Sequence, residues 1–229
     1  MTAFLAATAT AVQKISGIAA LSPLMLAMVA GILLRNTVGI RASVKPGITF
    51  SLKNLLRFAV ILLGFQLTWA QLAGSGAVGF IGVVSTLVAT FVVIRVVGRM
   101  LGVGPALTDL IAAGTSVCGA SAVVACNTVT RGSDEDVAYA IAVVTVFGSI
   151  SMLLFPILGP ALGLTGADYG LWVGASVHEV AQVTGAAFQG GAEAGQSGTV
   201  AKLSRVIMLA PLILLLGAMA RRNADSAGG

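Results

Sequence analysis

Long apolar runs separated by short polar or glycine-bearing stretches make up nearly the whole chain. The first clear run is Leu21 to Val38, ending at Arg35 and Asn36, followed by a polar connection over residues 39 to 54 with Arg41, Lys45, Pro46 and Lys53. Leu55 to Ala73 and Ala77 to Val97 follow, the second bounded by Arg95 and Arg99. An interrupted segment runs from about Ala106 to Val129, and Asp134-Glu135-Asp136 then precedes a span from Val137 to about Leu158, closed by Pro156 and Pro160. Gly170 to Phe188 is a more polar segment, and a glycine-rich loop from Gly190 to Gly198 leads to a last span, Val200 to Ala220. Residues 1 to 20 predict a half-inserted or interfacial helix, and Arg221 to Gly229 a polar tail. Runs of this length, about 20 residues each, suit transmembrane helices, whereas barrel strands would alternate over about ten. The pattern predicts an all-α integral membrane protein: one multi-pass domain of about seven transmembrane helices, one of them broken.

Composition agrees. Only 9% of residues are charged and 57% are hydrophobic, where a soluble domain carries about 25% charged residues. The net charge of +5 does not point to nucleic acid, because the basic residues fall between apolar runs as the positive-inside rule expects. Alternating spans put Arg35, Arg41, Lys45, Lys53, Arg57, Arg95, Arg99, Arg221 and Arg222 on the cytoplasmic side, and Lys14, Arg131, Lys202 and Arg205 on the other. That assignment takes the fourth and sixth segments to cross the bilayer rather than re-enter it. No cleaved signal peptide is expected, since no basic region precedes the first apolar residues. Cys118 and Cys126, about 12 Å apart if helix joins them, are expected to be free thiols.

Two stretches carry candidate chemistry. Gly114-Thr115-Ser116-Val117-Cys118-Gly119-Ala120-Ser121-Ala122 interrupts the fourth segment with small and polar residues. Irregular backbone at membrane depth is tolerated where protein covers it or it lines a cavity, and broken helices of this kind bind substrates in transporters; close packing of small residues is the competing role. Thr115, Ser116, Cys118, Gly119 and Ser121 are therefore substrate-binding candidates, with Asn127 extending the lining. The second stretch holds His178 and Glu179 inside an apolar segment, where ionisable groups are costly and mark sites or proton paths. On a helix, Gln182 would share their face. Resemblance to H-E-x-x-H stops at Gln182, the second histidine is missing, and neither a metal nor a cofactor is expected. Asp109 is expected to cap the interrupted helix, Gly170 and Gly174 to pack helices closely, and Arg205 to pair with Glu179, attract an anion or snorkel outward.

These motifs, with Ala138-Tyr139-Ala140-Ile141-Ala142-Val143-Val144-Thr145-Val146-Phe147-Gly148 and Leu203-Ser204-Arg205-Val206-Ile207-Met208-Leu209-Ala210-Pro211, occur in the same order in YeiH-like bacterial inner-membrane proteins. The chain resembles that family from about Pro23 to Leu216. The resemblance implies a cation:proton antiporter and anion transporter fold with inverted repeats and crossing broken helices, and a suggested activity of sulfate export. It implies Thr115, Ser116, Cys118, Gly119 and Ser121 in the first break, and His178, Glu179 and Gln182 on the segment after it. Relatives are longer, so the second broken helix of the crossing is expected beyond this chain. The leading expectation is a secondary transporter of a small anion such as sulfate, non-enzymatic, with His178, Glu179 and Gln182 handling a coupling proton. The alternative is a truncated, non-transporting membrane protein or subunit whose polar residues only pack helices. Membrane lipid is an expected partner, and homo-oligomerisation is left open.

Overall fold

The computed structural model describes residues 2–16, 23–37, 39, 42–51, 58 and 76–227. The expected span Leu55–Ala73 lies, apart from position 58, outside the described residues. No strand occurs among those described, and the all-α membrane architecture holds. Helices α1 (Thr2–Ser16) and α2 (Pro23–Thr37) pack together, and a 3-10 turn, Ala42–Val44, leads to α3 (Lys45–Phe50). Then come α4 (Gly76–Met100), α5 (Pro105–Ser116), α6 (Ala120–Thr130), α7 (Asp134–Ala161), α8 (Gly166–Ser176), α9 (Val180–Ala187), α10 (Ala192–Ile207) and α11 (Leu209–Ala227). Three stretches are long and apolar enough to cross a membrane: Ile81–Met100, Asp134–Ala161 and Ala192–Met219.

The fourth segment is broken as expected, but it turns back on itself. A Cβ built on Gly114 would lie 2.7 Å from Val123 Cγ2, and one on Gly132 would lie 3.1 Å from Leu110 Cδ1 and 3.4 Å from Ala106 Cβ. A continuous helix would hold positions 114 and 123 about 13 Å apart. Helices α5 and α6 are thus the arms of a re-entrant hairpin whose tip is Val117-Cys118-Gly119. The sixth segment does the same. Tyr169 Oη donates to Ala186 O at 3.1 Å, although continuous helix would separate those positions by about 25 Å. Arms α8 and α9 meet at the tip Val177-His178-Glu179.

The long helix α7 records how the hairpins face each other. It has 28 residues, about 42 Å of helix. Near its middle, Val144 packs against Gly114 of the first hairpin, and Gly148 lies against the Gln182 side chain of the second. Further on, Gly159 packs under the Tyr169 ring at the base of the second hairpin. The hairpins therefore enter from opposite ends and meet tip to tip halfway along α7. A capping box starts this helix: Ser133 Oγ accepts from Asp136 N–H at 3.1 Å, and Asp136 Oδ2 accepts from Ser133 N–H at 3.0 Å. Asp134, Glu135 and Asp136 all lie in the first turn, where negative charge complements the helix dipole. The helix continues through Pro156 and Pro160 to Ala161 instead of closing at Leu158.

Helix α10 packs on both arms of the second hairpin, and α11 on the second arm of the first. Gly170 and Gly174 of α8 press on the Ala194 and Gly198 carbonyls of α10, the close packing expected of that glycine pair. The predicted loop from Gly190 to Gly198 is mostly helix, because Gly195 and Gly198 are seats for Phe188 and Ala187. At the far end, Leu216 and Met219 of α11 share a cavity with Arg95, Pro105 and Asp109 at the base of the first hairpin.

Two hairpins correct the expected side assignment. Arg131 returns to the side of Arg95 and Arg99, and Lys202 and Arg205 are buried. A single hairpin would have reversed α11, whereas two preserve its direction, so the basic residues follow the positive-inside rule more closely than alternating crossings allowed.

Candidate functional site

Local chemistry creates the two tips differently. The first turns at Gly119, with φ 74° and ψ −135°, a conformation glycine adopts without the Cβ penalty. A Cβ there would also lie 2.6 Å from Glu179 Cγ. The second tip is ordinary extended backbone, with Val177 at φ −75°, ψ 143° and Glu179 at φ −108°, ψ 148°. Glu179 N–H donates to Gln182 Oε1 at 3.1 Å, restarting the helix in the manner of a capping box. His178, Glu179 and Gln182 consequently do not share a helix face as the sequence predicted. Gln182 also reaches α7, its Nε2 donating to Thr145 O and Ser149 Oγ at 3.4 Å each.

Lys202 joins the tips. It is wholly buried on α10, and its Nζ donates to Val117 O at 2.6 Å and Val177 O at 2.9 Å. Both carbonyls lie just beyond the C-terminal ends of α5 and α8, where helices concentrate partial negative charge. At the other end of the first tip, the Glu179 side chain lies against Gly119, where a Cβ would come 3.3 Å from its Oε1. A cation on carbonyl ends is the favourable pairing for helix C-termini. A buried ammonium ion without such partners would cost several kcal/mol.

Arg205 lies one turn after Lys202 and is 1% exposed. Its Nη1 donates to the Ala175 carbonyl, so it neither snorkels outward nor pairs with Glu179. Its Nε, and Nδ1 of the 8% exposed His178, are buried without a partner among the described residues. Around the tips, Cys118 is near Lys202, Glu179 and Arg205, and His178 is near Lys202 and Arg205. Lys202 is the residue that sequence reasoning missed. Beginning the last span at Val200 placed it near the membrane surface, while a start at Ala192 would have put it inside.

The other expected residues separate into two groups. Cys118 and Gly119 form the first tip, and the part-buried Thr115 is in the turn of helix preceding it. Ser116 is buried and its Oγ donates back to Ala113 O at 3.4 Å. Ser121 is exposed on the first turn of α6. Asn127 is near the hairpin base, where its Oδ1 accepts from Gly132 N–H at 2.8 Å. Both cysteines are free and buried, as expected. Asp109 does not cap α5: Gly104 is at that position, and Asp109 instead pairs with Arg95 of α4 at 2.8 Å. Within this chain, the first tip and the tip at Val177-His178-Glu179 are bridged by Lys202.

Opposed re-entrant hairpins, buried against membrane-length helices, define an all-α multi-pass membrane protein. The chain belongs to the family described as conserved hypothetical protein 698, whose model matches residues 1–228. It is 42% identical to a UPF0324 membrane protein of Agrobacterium fabrum, over 89% of this chain and 58% of that one. A UPF0324 membrane protein of Pseudomonas aeruginosa is also 42% identical, over 89% and 60%. The UPF0324 inner membrane protein YeiH of Escherichia coli is 36% identical, over 92% and 62%. The chain thus spans about three-fifths of the length of these relatives. No solved structure matches it. The protein is a multi-pass protein of the bacterial inner membrane.

Proposed function

We propose that the protein is a secondary active transporter of a small anion, moved together with protons and not chemically altered. One observation carries this reading: two non-helical tips meet at membrane depth around buried Lys202 and Arg205, with polar atoms of Arg205 and His178 unpartnered. Buried polar groups are normally satisfied, and a small oxyanion supplies the acceptors that a guanidinium favours. Such a site between opposed hairpins can be exposed alternately to either side by movement of one flank against the other. Cavities of about 170 Å³ and 410 Å³ open at the bases of the first and second hairpins. Glu179, with His178, carries the proton in this reading, and sulfate is a substrate suggested by the family resemblance.

The test is flux of labelled sulfate and other small anions in proteoliposomes under an imposed pH gradient, using a full-length relative alongside this chain. Anion movement driven by the gradient, and lost in Glu179→Gln, is the expected result. Absence of flux for every anion in both proteins contradicts the transport reading. Ser116 and Asn127 bond within their own hairpin, so packing is the role that the structure favours for those two residues.

A further inference from the structure

We infer that Lys202 is the built-in occupant of a monovalent-cation seat between the hairpin tips, and that it frees the protein of any need for sodium or potassium. This rests on the transport reading above and names the residue that decides which ion is coupled. Two carbonyls define the seat: Val117 O and Val177 O converge on Lys202 Nζ at 2.6 Å and 2.9 Å. They come from different hairpins but from equivalent places, the first residue past the C-terminal ends of α5 and α8. The backbone leaves helical angles at both, with ψ −88° at Val117 and 143° at Val177. Neither carbonyl accepts from a backbone N–H among the described residues. Free carbonyls at the C-terminal ends of half-helices are the groups that coordinate sodium ions and protons in discontinuous membrane helices.

The ammonium is held as an alkali ion would be, by carbonyl dipoles and not by a counter-ion. Lys202 is 0% exposed and forms no ion pair among the described residues, where the pair found is Arg95 with Asp109. Arg205, one turn further along α10, takes the Ala175 carbonyl, so the seat shared by the two tips is left to Lys202. An alkali ion brought to the same carbonyls would meet the fixed ammonium, and like charges at such spacing repel strongly in a low-dielectric site. The tether also supplies the charge without the entropic cost of capturing an ion from solution. Glu179 and Arg205 are the other charged groups near Lys202. Without Lys202 an ionised Glu179 and Arg205 cancel, so one added monovalent cation restores the wild-type balance. Truncation to alanine keeps both carbonyls and opens space beside them, and carbonyls can replace part of the hydration shell of a small cation.

Methylammonium reproduces the Lys202 head group and is the main probe, with sodium and potassium beside it. Each is supplied as the chloride at fixed ionic strength and compared with the bulky N-methyl-D-glucamine. The readout is the thermal midpoint of the full chain in detergent, for the wild type and Lys202→Ala. The wild type is expected to have the same midpoint in all four salts. Lys202→Ala should be less stable in N-methyl-D-glucamine and recover by about 4 °C when methylammonium stands at about ten times its dissociation constant. Stabilisation of the wild type by sodium or potassium over N-methyl-D-glucamine overturns the proposal without need of any variant. A Lys202→Ala protein that responds to none of the three ions overturns it as well. In proteoliposomes, proton-driven anion flux should be equal in sodium, potassium and N-methyl-D-glucamine; flux that requires sodium upholds transport and overturns the built-in cation. Absence of flux for every anion contradicts the transport reading, and the cation-dependent midpoints still decide the seat.

Discussion

Lys202, 85 residues further along the chain, donates its ammonium to the Val117 carbonyl at 2.6 Å. The same Nζ holds Val177 O at 2.9 Å, so one side chain fastens the tips of two hairpins that approach from opposite sides. A replacement without donors leaves two buried carbonyls unsatisfied, at about 1–3 kcal/mol each, offset by relief of the buried charge. Lys202→Met is expected to lose about 2 kcal/mol net, measured as a lower thermal midpoint in detergent. Lys202→Arg should not restore it, because a planar guanidinium cannot reproduce a compact ammonium between two carbonyls. An unchanged midpoint in Lys202→Met would show that something other than this residue holds the tips together.

Gly119→Ala tests the first tip. The backbone at φ 74°, ψ −135° is open essentially to glycine alone, so a Cβ costs about 1–3 kcal/mol, and the added carbon meets Glu179. Both effects act together, so a clear loss of stability is expected. Ser121→Ala, two positions away but exposed, should stay within about 0.5 kcal/mol. Equal effects at the two positions would argue against the tip geometry.

Close packing of α8 on α10 gives a third expectation. A Cβ at Gly174 would lie 2.9 Å from Ala201 Cβ and closer still to the Gly198 carbonyl. Because the neighbour is backbone, it cannot rotate away. Gly174→Val should cost about 3 kcal/mol by overpacking, and α10 would carry Lys202 away from Val177. Thermal midpoint and anion-dependent stabilisation should fall together in this variant. A variant as stable as wild type would place α8 and α10 further apart than the structure does.

How much of this was legible in the sequence depends on which residues did the signalling. Gly119, in a run of small and polar residues at membrane depth, pointed to a break there, with close helix packing as the competing role. The second tip carried no such mark: Val177 and Glu179 adopt extended angles open to any residue, and the segment read as continuous helix. The Glu179–Gln182 capping pair was its only local signal. That each broken segment folds back was not legible, because the evidence lies in contacts such as Gly114 with Val123 and Tyr169 with Ala186. Lys202 was hidden by Gly195 and Gly198, which suggested a loop but are helical positions pressed against Phe188 and Ala187. The polar residues of the site were largely visible, His178, Glu179, Cys118 and Gly119 among them. Their shared anchor was not.

The pairing of opposed re-entrant hairpins is the claim on which the site depends, and side-specific labelling tests it directly. Single cysteines at Gly102, Arg131 and Gly191, in a background with Cys118 and Cys126 replaced by alanine, would be labelled with a membrane-impermeant maleimide in sealed vesicles of known orientation. Gly102 and Arg131 flank the first hairpin, and Gly191 follows the second. The structure predicts that positions 102 and 131 are labelled from the same, cytoplasmic side and position 191 only from the other. Labelling of 102 and 131 from opposite sides would mean that the first broken helix crosses the membrane, and would contradict the tip-to-tip site.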